Sequence, residues 1–247
     1  MSTTTAVPRI TYSPYDDKTQ IAREIPRYHR SYTRNPSKPL VQRPLTLSEQ
    51  TGPTGLAEKF GAARNIGELD LSYPVPGGPR AIGQLMTLSG RVIDEDGRPL
   101  AGAVIELWQA NACGKYVHKL DRYNAPLDPN FVGQGRMVAD GEGEFHVITV
   151  KPGCYPVMES DWWRAPHIHL SIFGPSWMNR FITQIFFPGE PLNQTDLLLQ
   201  GIPDEEARQR LIVKPCAAHK LDYYTALGFR LDFVLRGKRA TPALDAD

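Results

Sequence analysis

Beyond residue 80, short apolar runs alternate with turn-forming Gly, Pro, Asn and Asp residues, a pattern typical of β-strands joined by tight turns. Seven runs have the length of a strand: residues 82–92, 103–108, 136–139, 144–150, 165–173, 181–187 and 229–235. No helical pattern alternates with them. The pattern therefore predicts a mainly β fold, an antiparallel β-sandwich with few short helices.

The region before residue 80 has a different character, because it is rich in proline and charge and shows little periodicity. We interpret residues 1–79 as a long irregular N-terminal arm that contacts another subunit, with one short helix conceivable at 48–60. Residues 80–247 form the predicted sandwich and catalytic domain. A further helix is predicted at 204–213, where Pro203 precedes an acidic first turn.

Composition and charge narrow the classes of partner. The chain has 247 residues, and 28 Lys and Arg against 27 Asp and Glu give a net charge of +1. This balance argues against nucleic acid or an anionic membrane as a partner. No apolar run is long enough to cross a bilayer. The N-terminus lacks the pattern of a secretory signal, and three scattered cysteines suggest no disulfide framework, so we expect a reducing cytoplasm.

Two histidines carry the sharpest local signal. His167 and His169 lie two residues apart on a predicted strand, so their imidazoles extend from the same face, with backbones about 7 Å apart. At that spacing the two rings can share one metal ion. The same spacing also occurs when two histidines lie on the wet face of a strand, but the apolar neighbours here favour a buried pair.

Two tyrosines in loops of small residues are candidates to complete such a site. Tyr116 and Tyr155 each follow a predicted strand, in Gly-Lys-Tyr and Pro-Gly-Cys-Tyr. A phenol, whose free pKa is about 10, must ionise to bind a metal well, which favours a hard, highly charged ion such as Fe³⁺. Either tyrosine could instead be an ordinary packed aromatic. Alternatively, the histidines and a carboxylate, Glu159 or Asp161, could hold zinc or ferrous iron.

Four ordered motifs resemble the intradiol aromatic-ring dioxygenases, and most closely the beta chains of the protocatechuate-cleaving members. The motifs are IELWQANACGKY at 105–116, DRYNAPLDPNF at 121–131, KPGCYP at 151–156 and WRAPHIH at 163–169. The likeness extends from about residue 27 to residue 239. It implies that a non-haem ferric ion is held by Tyr116, Tyr155, His167 and His169.

The resemblance also implies roles beyond the metal. Tyr155 would accept a substrate proton, and Arg164 would stabilise negative charge on the ring. The implied substrate-binding residues are Tyr28, Trp108, Val157, Gln184 and Leu198. The partner would be an alpha chain, in αβ protomers that assemble further.

The implied reaction is cleavage of protocatechuate with O₂ between its two hydroxylated carbons, to 3-carboxy-cis,cis-muconate. In the family the tyrosine ligand is usually followed by Pro-Trp, whereas this chain has Pro156-Val157, which predicts a roomier pocket. The same chemistry on a bulkier catechol such as 4-sulfocatechol is therefore an alternative. A non-catalytic β-sandwich subunit is another.

Overall fold

The computed structural model describes residues 10–11, 17–34, 36, 38, 66–158, 160–174, 180–221, 223–235 and 243–244. The strands are β1 (Ile10–Thr11), β2 (Glu68–Asp70), β3 (Leu85–Asp94), β4 (Val104–Gln109), β5 (Gln134–Val138), β6 (Glu144–Val150), β7 (Tyr155–Pro156), β8 (Trp163–Arg164), β9 (His167–Phe173), β10 (Arg180–Phe186), β11 (Lys214–Leu221), β12 (Tyr224–Arg230), β13 (Phe233–Leu235) and β14 (Ala243–Leu244). The α-helices are α1 (His29–Arg34), α2 (Leu197–Gln200) and α3 (Glu205–Arg210), with 3₁₀ turns at Asp17–Thr19 and Pro191–Gln194. The predicted helix at 48–60 lies outside the described residues.

The first main sheet has four strands in the order β10-β9-β4-β5, and every pairing is antiparallel. Along β9, Ile168, Leu170 and Ile172 are at most 1% exposed and face the other sheet. Because side chains alternate on a strand, His167 and His169 extend from the opposite, outer face. The predicted strand period is thus confirmed where it positions the histidine pair.

The second main sheet has the order β11-β12-β3-β6-β2, with β13 also paired to β3. The pairings of β12 and β13 with β3, and of β2 with β6, are parallel. The mainly β sandwich is confirmed, while this sheet is mixed because chain segments distant in sequence return to it through long crossovers. Its strand β2 (Glu68–Asp70) comes from before residue 80. The role of residues 1–79 in subunit contacts stays a prediction.

Each of the seven predicted runs overlaps an observed strand, and the run at 229–235 is divided between the end of β12 and β13. The sequence pattern missed β11, because most of its side chains are exposed and show no apolar alternation. The helix predicted at 204–213 is observed as α3 (Glu205–Arg210), whose N-cap is Asp204. No helix among the described residues is long and apolar enough to span a membrane.

The core between the two sheets is a continuous apolar cluster that includes Met86, Leu88, Ile105 and Leu107. Burial of such side chains is the main stabilising contribution to a sandwich of this kind. The strands that carry functional side chains on their outer face are therefore held rigidly by their inner face. The three cysteines form no disulfide.

Candidate metal centre

The structure brings the two histidines of β9 together on the outer face of the first sheet. The Nε2 atoms of His167 and His169 are 3.2 Å apart. Trp108 on β4 and Gln184 on β10 lie in register with His169, one on each side. The indole of Trp108 stacks on the imidazole of His169, with 4.8 Å between ring centroids and 6° between planes. Neighbouring strands thus fix the orientation of the His169 ring.

Both predicted tyrosines reach the histidine pair, Tyr116 from a loop and Tyr155 from the start of the short strand β7. The Tyr155 hydroxyl lies 3.3 Å from Nε2 of His167. The Tyr116 ring meets the Tyr155 ring edge-on, at 5.4 Å between centroids, and lies 6.2 Å from the His169 ring. We call Tyr116, Tyr155, His167 and His169 the ligand cluster.

Two glycines allow the tyrosine loops to touch. Gly114 has φ of +78°, and a Cβ there would lie 2.1 Å from the carbonyl oxygen of Cys154. A Cβ at Gly153 would lie 2.4 Å from the carbonyl oxygen of Ala112. Both distances are far below van der Waals contact, so any side chain at either position would force the loops apart. The small residues that drew attention in the sequence are therefore required by backbone packing.

Two polar side chains that the sequence analysis did not single out brace the Tyr116 loop. The Asn111 side-chain oxygen accepts hydrogen bonds from the backbone N–H groups of Cys113 (2.9 Å) and Lys115 (3.0 Å). The Asp121 carboxylate accepts the Tyr116 N–H at 2.8 Å and pairs with Lys115 at 3.4 Å. An Asn or Asp that caps a turn in this way is a recognisable sequence signal.

The histidines are held neutral. Burial, with a smaller contribution from the Arg164 cation, lowers the pKa of His167 well below its usual range and that of His169 to about 3. The Nδ1–H of His167 donates to the carbonyl of Ala165 at 2.6 Å, which leaves the Nε2 lone pair directed at the centre of the cluster. A neutral imidazole whose other nitrogen is hydrogen-bonded is the usual form of a metal-ligating histidine.

The two phenols are held in their protonated form. Burial raises the pKa of both Tyr116 and Tyr155 and outweighs the opposing effect of the Arg164 cation, so without a bound metal ion both remain protonated. The Tyr116 hydroxyl is buried and has no partner at hydrogen-bond distance among the described residues, and the nearby Tyr155 hydroxyl adds to the rise of its pKa. Such an unsatisfied group costs about 1–3 kcal/mol. A bound cation would favour ionisation of these phenols and give the Tyr116 oxygen a partner.

The donor set fits a ferric ion. Two phenol oxygens and two neutral imidazole nitrogens converge, and phenolate is a hard, anionic ligand suited to Fe³⁺. Among the described residues, no three His, Cys, Asp or Glu side chains are grouped so as to hold a metal ion. Asp161, nominated for a zinc or ferrous site, is exposed and pairs with Arg27 at 2.6 Å. Glu159, the other nominee, lies outside the described residues.

Arg164 lies beside the ligand cluster because the short β7–β8 pairing places it opposite Tyr155. It is only 5% exposed. Its guanidinium donates through Nε to Asp196 at 2.9 Å and through its terminal nitrogens to the side-chain oxygen of Gln184 and to the Tyr155 hydroxyl, the latter at 3.5 Å. A fixed, buried positive charge therefore adjoins the phenol pair.

A cavity of about 450 Å³ opens beside the ligand cluster. Its lining includes Tyr116, Tyr155, His169, Arg164 and three of the predicted substrate-binding residues, Tyr28, Trp108 and Val157. Five further side chains of the lining, of which Arg30, Arg122 and Met158 are exposed, we call the outer rim: Tyr28, Arg30, Arg122, Val157 and Met158.

The other two predicted substrate-binding residues lie elsewhere. Gln184 and Leu198 line a larger neighbouring groove of about 1110 Å³, which His169 also borders. The side-chain oxygen of Gln184 accepts a hydrogen bond from Arg164, which lines the smaller cavity. Leu198, on α2, is not among the residues that line the smaller cavity.

Comparison with known proteins defines the class. A family model described as "Dioxygenase" matches residues 66–237, which is more than half of the chain. The chain belongs to the intradiol dioxygenase family and is a ring-cleaving dioxygenase.

Individual relatives are similar over most of their length. The chain is 40% identical to the protocatechuate 3,4-dioxygenase beta chain of Burkholderia cepacia, over 93% of this chain and 96% of that one. It is 31% identical to the protocatechuate 3,4-dioxygenase alpha chain of Pseudomonas putida, over 84% of this chain and 99% of that one. The solved structure of catechol 1,2-dioxygenase from Pseudomonas arvilla C-1 has the same fold, with a TM-score of 0.54 and 23% identity, over 74% of this chain and 60% of that one.

Proposed function

We propose that this chain is the iron-bearing, beta-type subunit of a protocatechuate 3,4-dioxygenase. The enzyme would cleave protocatechuate with O₂ between its hydroxylated carbons, to 3-carboxy-cis,cis-muconate. The observation that carries the proposal is the convergence of two partly buried phenols and two neutral imidazoles beside a cavity, with the Tyr116 hydroxyl lacking a hydrogen-bond partner among the described residues. The similarity to a named beta chain over nearly the whole chain supports the choice of substrate.

The proposed cofactor is non-haem Fe³⁺, held by Tyr116, Tyr155, His167 and His169. Intradiol dioxygenases as a family use non-haem iron, and the donor set here fits the ferric state. When bound, the ferric ion would stabilise the doubly deprotonated form of the catechol and activate its ring for direct reaction with O₂. The remaining chemistry belongs to the residues of this chain.

Tyr155 is the proposed proton acceptor. Its oxygen lies between the Nε2 atom of His167 and the guanidinium of Arg164, at 3.3 and 3.5 Å. As a phenolate it can take a proton from a catechol hydroxyl, and its buried position favours the neutral phenol that results. The Arg164 cation then remains beside the negative ring, where a preorganised charge in a site poor in water stabilises the transition state.

The proposed protein partner is an alpha-type chain. Similarity to both an alpha and a beta chain of protocatechuate 3,4-dioxygenase supports an αβ assembly. The predicted N-terminal arm would supply part of the contact. Catechol substrate and O₂ are the proposed small-molecule partners.

The residues at the cavity rim also bear on which group the catechol substrate carries at its 4-position. Val157 lines the cavity where relatives were expected to carry a tryptophan, and the neighbouring Met158 is 44% exposed at the rim. Arg30 and Arg122 are exposed at the same rim. A pocket that is both enlarged and flanked by cations also suits a bulkier anionic group, so 4-sulfocatechol is the second candidate substrate.

The test is to express the chain with and without an alpha-type partner, load it with iron, and follow O₂ uptake and the product mass with protocatechuate. We expect one O₂ consumed per ring cleaved and the carboxymuconate as product. An iron-loaded protein that binds protocatechuate in the presence of O₂ but does not cleave its ring would contradict the proposal.

Substrate preference is tested by kcat/KM for protocatechuate and 4-sulfocatechol in the wild type and in Val157→Trp. If the enlarged pocket matters, the tryptophan reduces use of the sulfonate by about tenfold relative to the carboxylate, the range typical of pocket-volume effects. A preference for protocatechuate that the substitution leaves unchanged would exclude the second candidate.

A further inference from the structure

Asp196 is a completely buried carboxylate, 0% exposed, that the sequence motifs do not include. It precedes α2 in a loop between β10 and β11, far in sequence from the ligand cluster. Four N–H donors converge on it within the described residues. It is therefore the most fully satisfied acidic group near the proposed metal centre.

One oxygen of Asp196 faces the active site. Its Oδ2 accepts the Nε–H of Arg164 at 2.9 Å and the backbone N–H of Ala165 at 2.9 Å. The carbonyl of the same Ala165 accepts the Nδ1–H of His167 at 2.6 Å. A single carboxylate oxygen thus restrains the arginine beside the phenols and, through one residue, the histidine that directs Nε2 at the metal position.

The other oxygen faces α2. Its Oδ1 accepts the N–H groups of Leu198 (2.9 Å) and Leu199 (3.2 Å), the usual bonds of an N-cap. Helix capping alone needs an acceptor but no full negative charge, because Ser, Thr and Asn also cap helices. The charge has a separate use here, since Arg164 is a buried cation whose other hydrogen-bond partners among the described residues, Gln184 and the protonated phenol of Tyr155, carry no charge.

We infer that Asp196 is a positioning residue of the ring-cleavage reaction, which fixes the Arg164 guanidinium and the His167 imidazole in one rigid arrangement. It acts through these two residues and contacts neither metal nor substrate. This inference rests on the proposed function, because it assigns Asp196 a part in the same site.

Asp196→Asn is the informative substitution. An amide has one oxygen, so it can accept from only one of the two donor pairs and must turn its own N–H₂ toward the other. Asp204→Asn is the matched control, because Asp204 caps the next helix, α3, with bonds to Glu206 and Ala207 but has no contact with Arg164.

We expect Asp196→Asn to lower kcat/KM about 10- to 100-fold, the range found when groups behind metal ligands are lost. Most of the loss should lie in kcat, and the visible charge-transfer band of the iron-loaded protein should shift. Asp204→Asn should leave kcat/KM and the band unchanged. An unaltered kcat/KM and band in Asp196→Asn, or an equal loss in Asp204→Asn, would overturn the inference.

A double variant separates positioning from folding. Arg164→Met/Asp196→Asn removes both buried charges, so Asp196→Asn should cost less additional activity in the Arg164→Met background than in the wild type, with the remaining loss due to the link to His167 through Ala165. The double variant should also unfold at a higher temperature than Asp196→Asn alone, since no unpaired buried cation remains. If Asp196→Asn does not fold and the double variant does, the pairing is supported; if neither folds, the carboxylate is only a structural cap.

Failure of the inference and failure of the proposed function can be told apart. An active wild type with an unaffected Asp196→Asn variant contradicts the inference alone. A wild type without iron or ring cleavage contradicts the proposed function. The unfolding temperatures of Arg164→Met, Asp196→Asn and the double variant still test the Arg164–Asp196 coupling.

Discussion

Two regions of the cavity, the ligand cluster and the outer rim, differ in what holds their side chains. His167 and His169 extend from a strand whose inner face is packed in the core, and the two tyrosine loops are pressed together at Gly114 and Gly153. Rim residues such as Arg30 and Met158 are exposed and come from loops or short elements. The chemistry is therefore fixed by the sandwich, whereas substrate preference depends on positions that can change without disturbing it.

The largest expected effect is at Tyr116, in the ligand cluster. Tyr116→Phe removes a proposed metal ligand and should reduce iron-dependent ring cleavage by more than about 100-fold, a larger loss than that usual for residues that only support the ligands. The same change deletes an unsatisfied buried hydroxyl, so the metal-free protein should become more stable by about 1 kcal/mol.

Denaturant unfolding of the metal-free protein, together with iron analysis, checks both halves of this prediction. Tyr223→Phe, at a fully exposed tyrosine, is the control and should change neither. A Tyr116→Phe variant that is less stable and keeps its iron would show that the hydroxyl has another partner.

The next effect is at Arg164, between the two regions. Arg164→Met should lower kcat by about 100- to 1000-fold, as expected when a preorganised electrostatic contact to the transition state is lost. Iron content should stay near that of the wild type, because Arg164 is not a ligand. Steady-state kinetics with iron analysis measures this, with Arg180→Met on β10 as the control; loss of iron in proportion to kcat would contradict it.

A smaller effect is expected at the rim. Arg30→Gln and Arg122→Gln should each raise KM for protocatechuate several-fold, to at most about tenfold, with kcat kept, since exposed charges act mainly on the encounter with an anionic substrate. The effect should shrink as salt is added. Unsubstituted catechol should show no change, and neither should Arg98→Gln, which is outside the cavity lining. Equal effects on the KM of charged and uncharged catechols would mean that the two arginines do not interact with the anionic substituent.

The smallest effect lies outside both regions. Burial lowers the pKa of His146 on β6, opposed by Glu68 and assisted by His219. The folded state thus binds the proton less readily than the unfolded chain, so stability is full above the unfolded pKa of about 6.5 and declines as the pH falls below it. Because His146 is half-buried, its contribution should stay below about 1 kcal/mol.

Unfolding free energies at pH 5.5 and 7.5 test this. His146→Gln should reduce the difference between the two pH values, and kcat/KM should not change. A steeper pH dependence in the variant would reverse the assigned sign.

The sequence predicted what depends on local spacing. Two histidines at a period of two must share a strand face, and loops of small residues at strand ends made Tyr116 and Tyr155 candidates to join them. The full set of four proposed ligands came from the resemblance to the intradiol dioxygenases. Strand β11 was missed because its exposed residues carry no apolar alternation.

What the sequence did not reveal depends on contacts between distant segments. Asp196 lies 32 positions from Arg164, and only the folded chain shows that they are paired. Gln184 was predicted to bind substrate; the structure places it along the neighbouring groove, where it accepts a hydrogen bond from Arg164, and substrate binding by Gln184 stays a prediction. Leu198, which lies on α2, lines the same groove.

The most direct test of a ferric site made by the ligand cluster is the visible spectrum of the iron-loaded protein, recorded with metal analysis before and after anaerobic addition of protocatechuate. A wine-red protein whose broad phenolate-to-iron absorption shifts when the catechol binds is the predicted result. A colourless protein that nevertheless contains a full complement of iron would contradict ligation by Tyr116 and Tyr155, and with it the proposed mechanism.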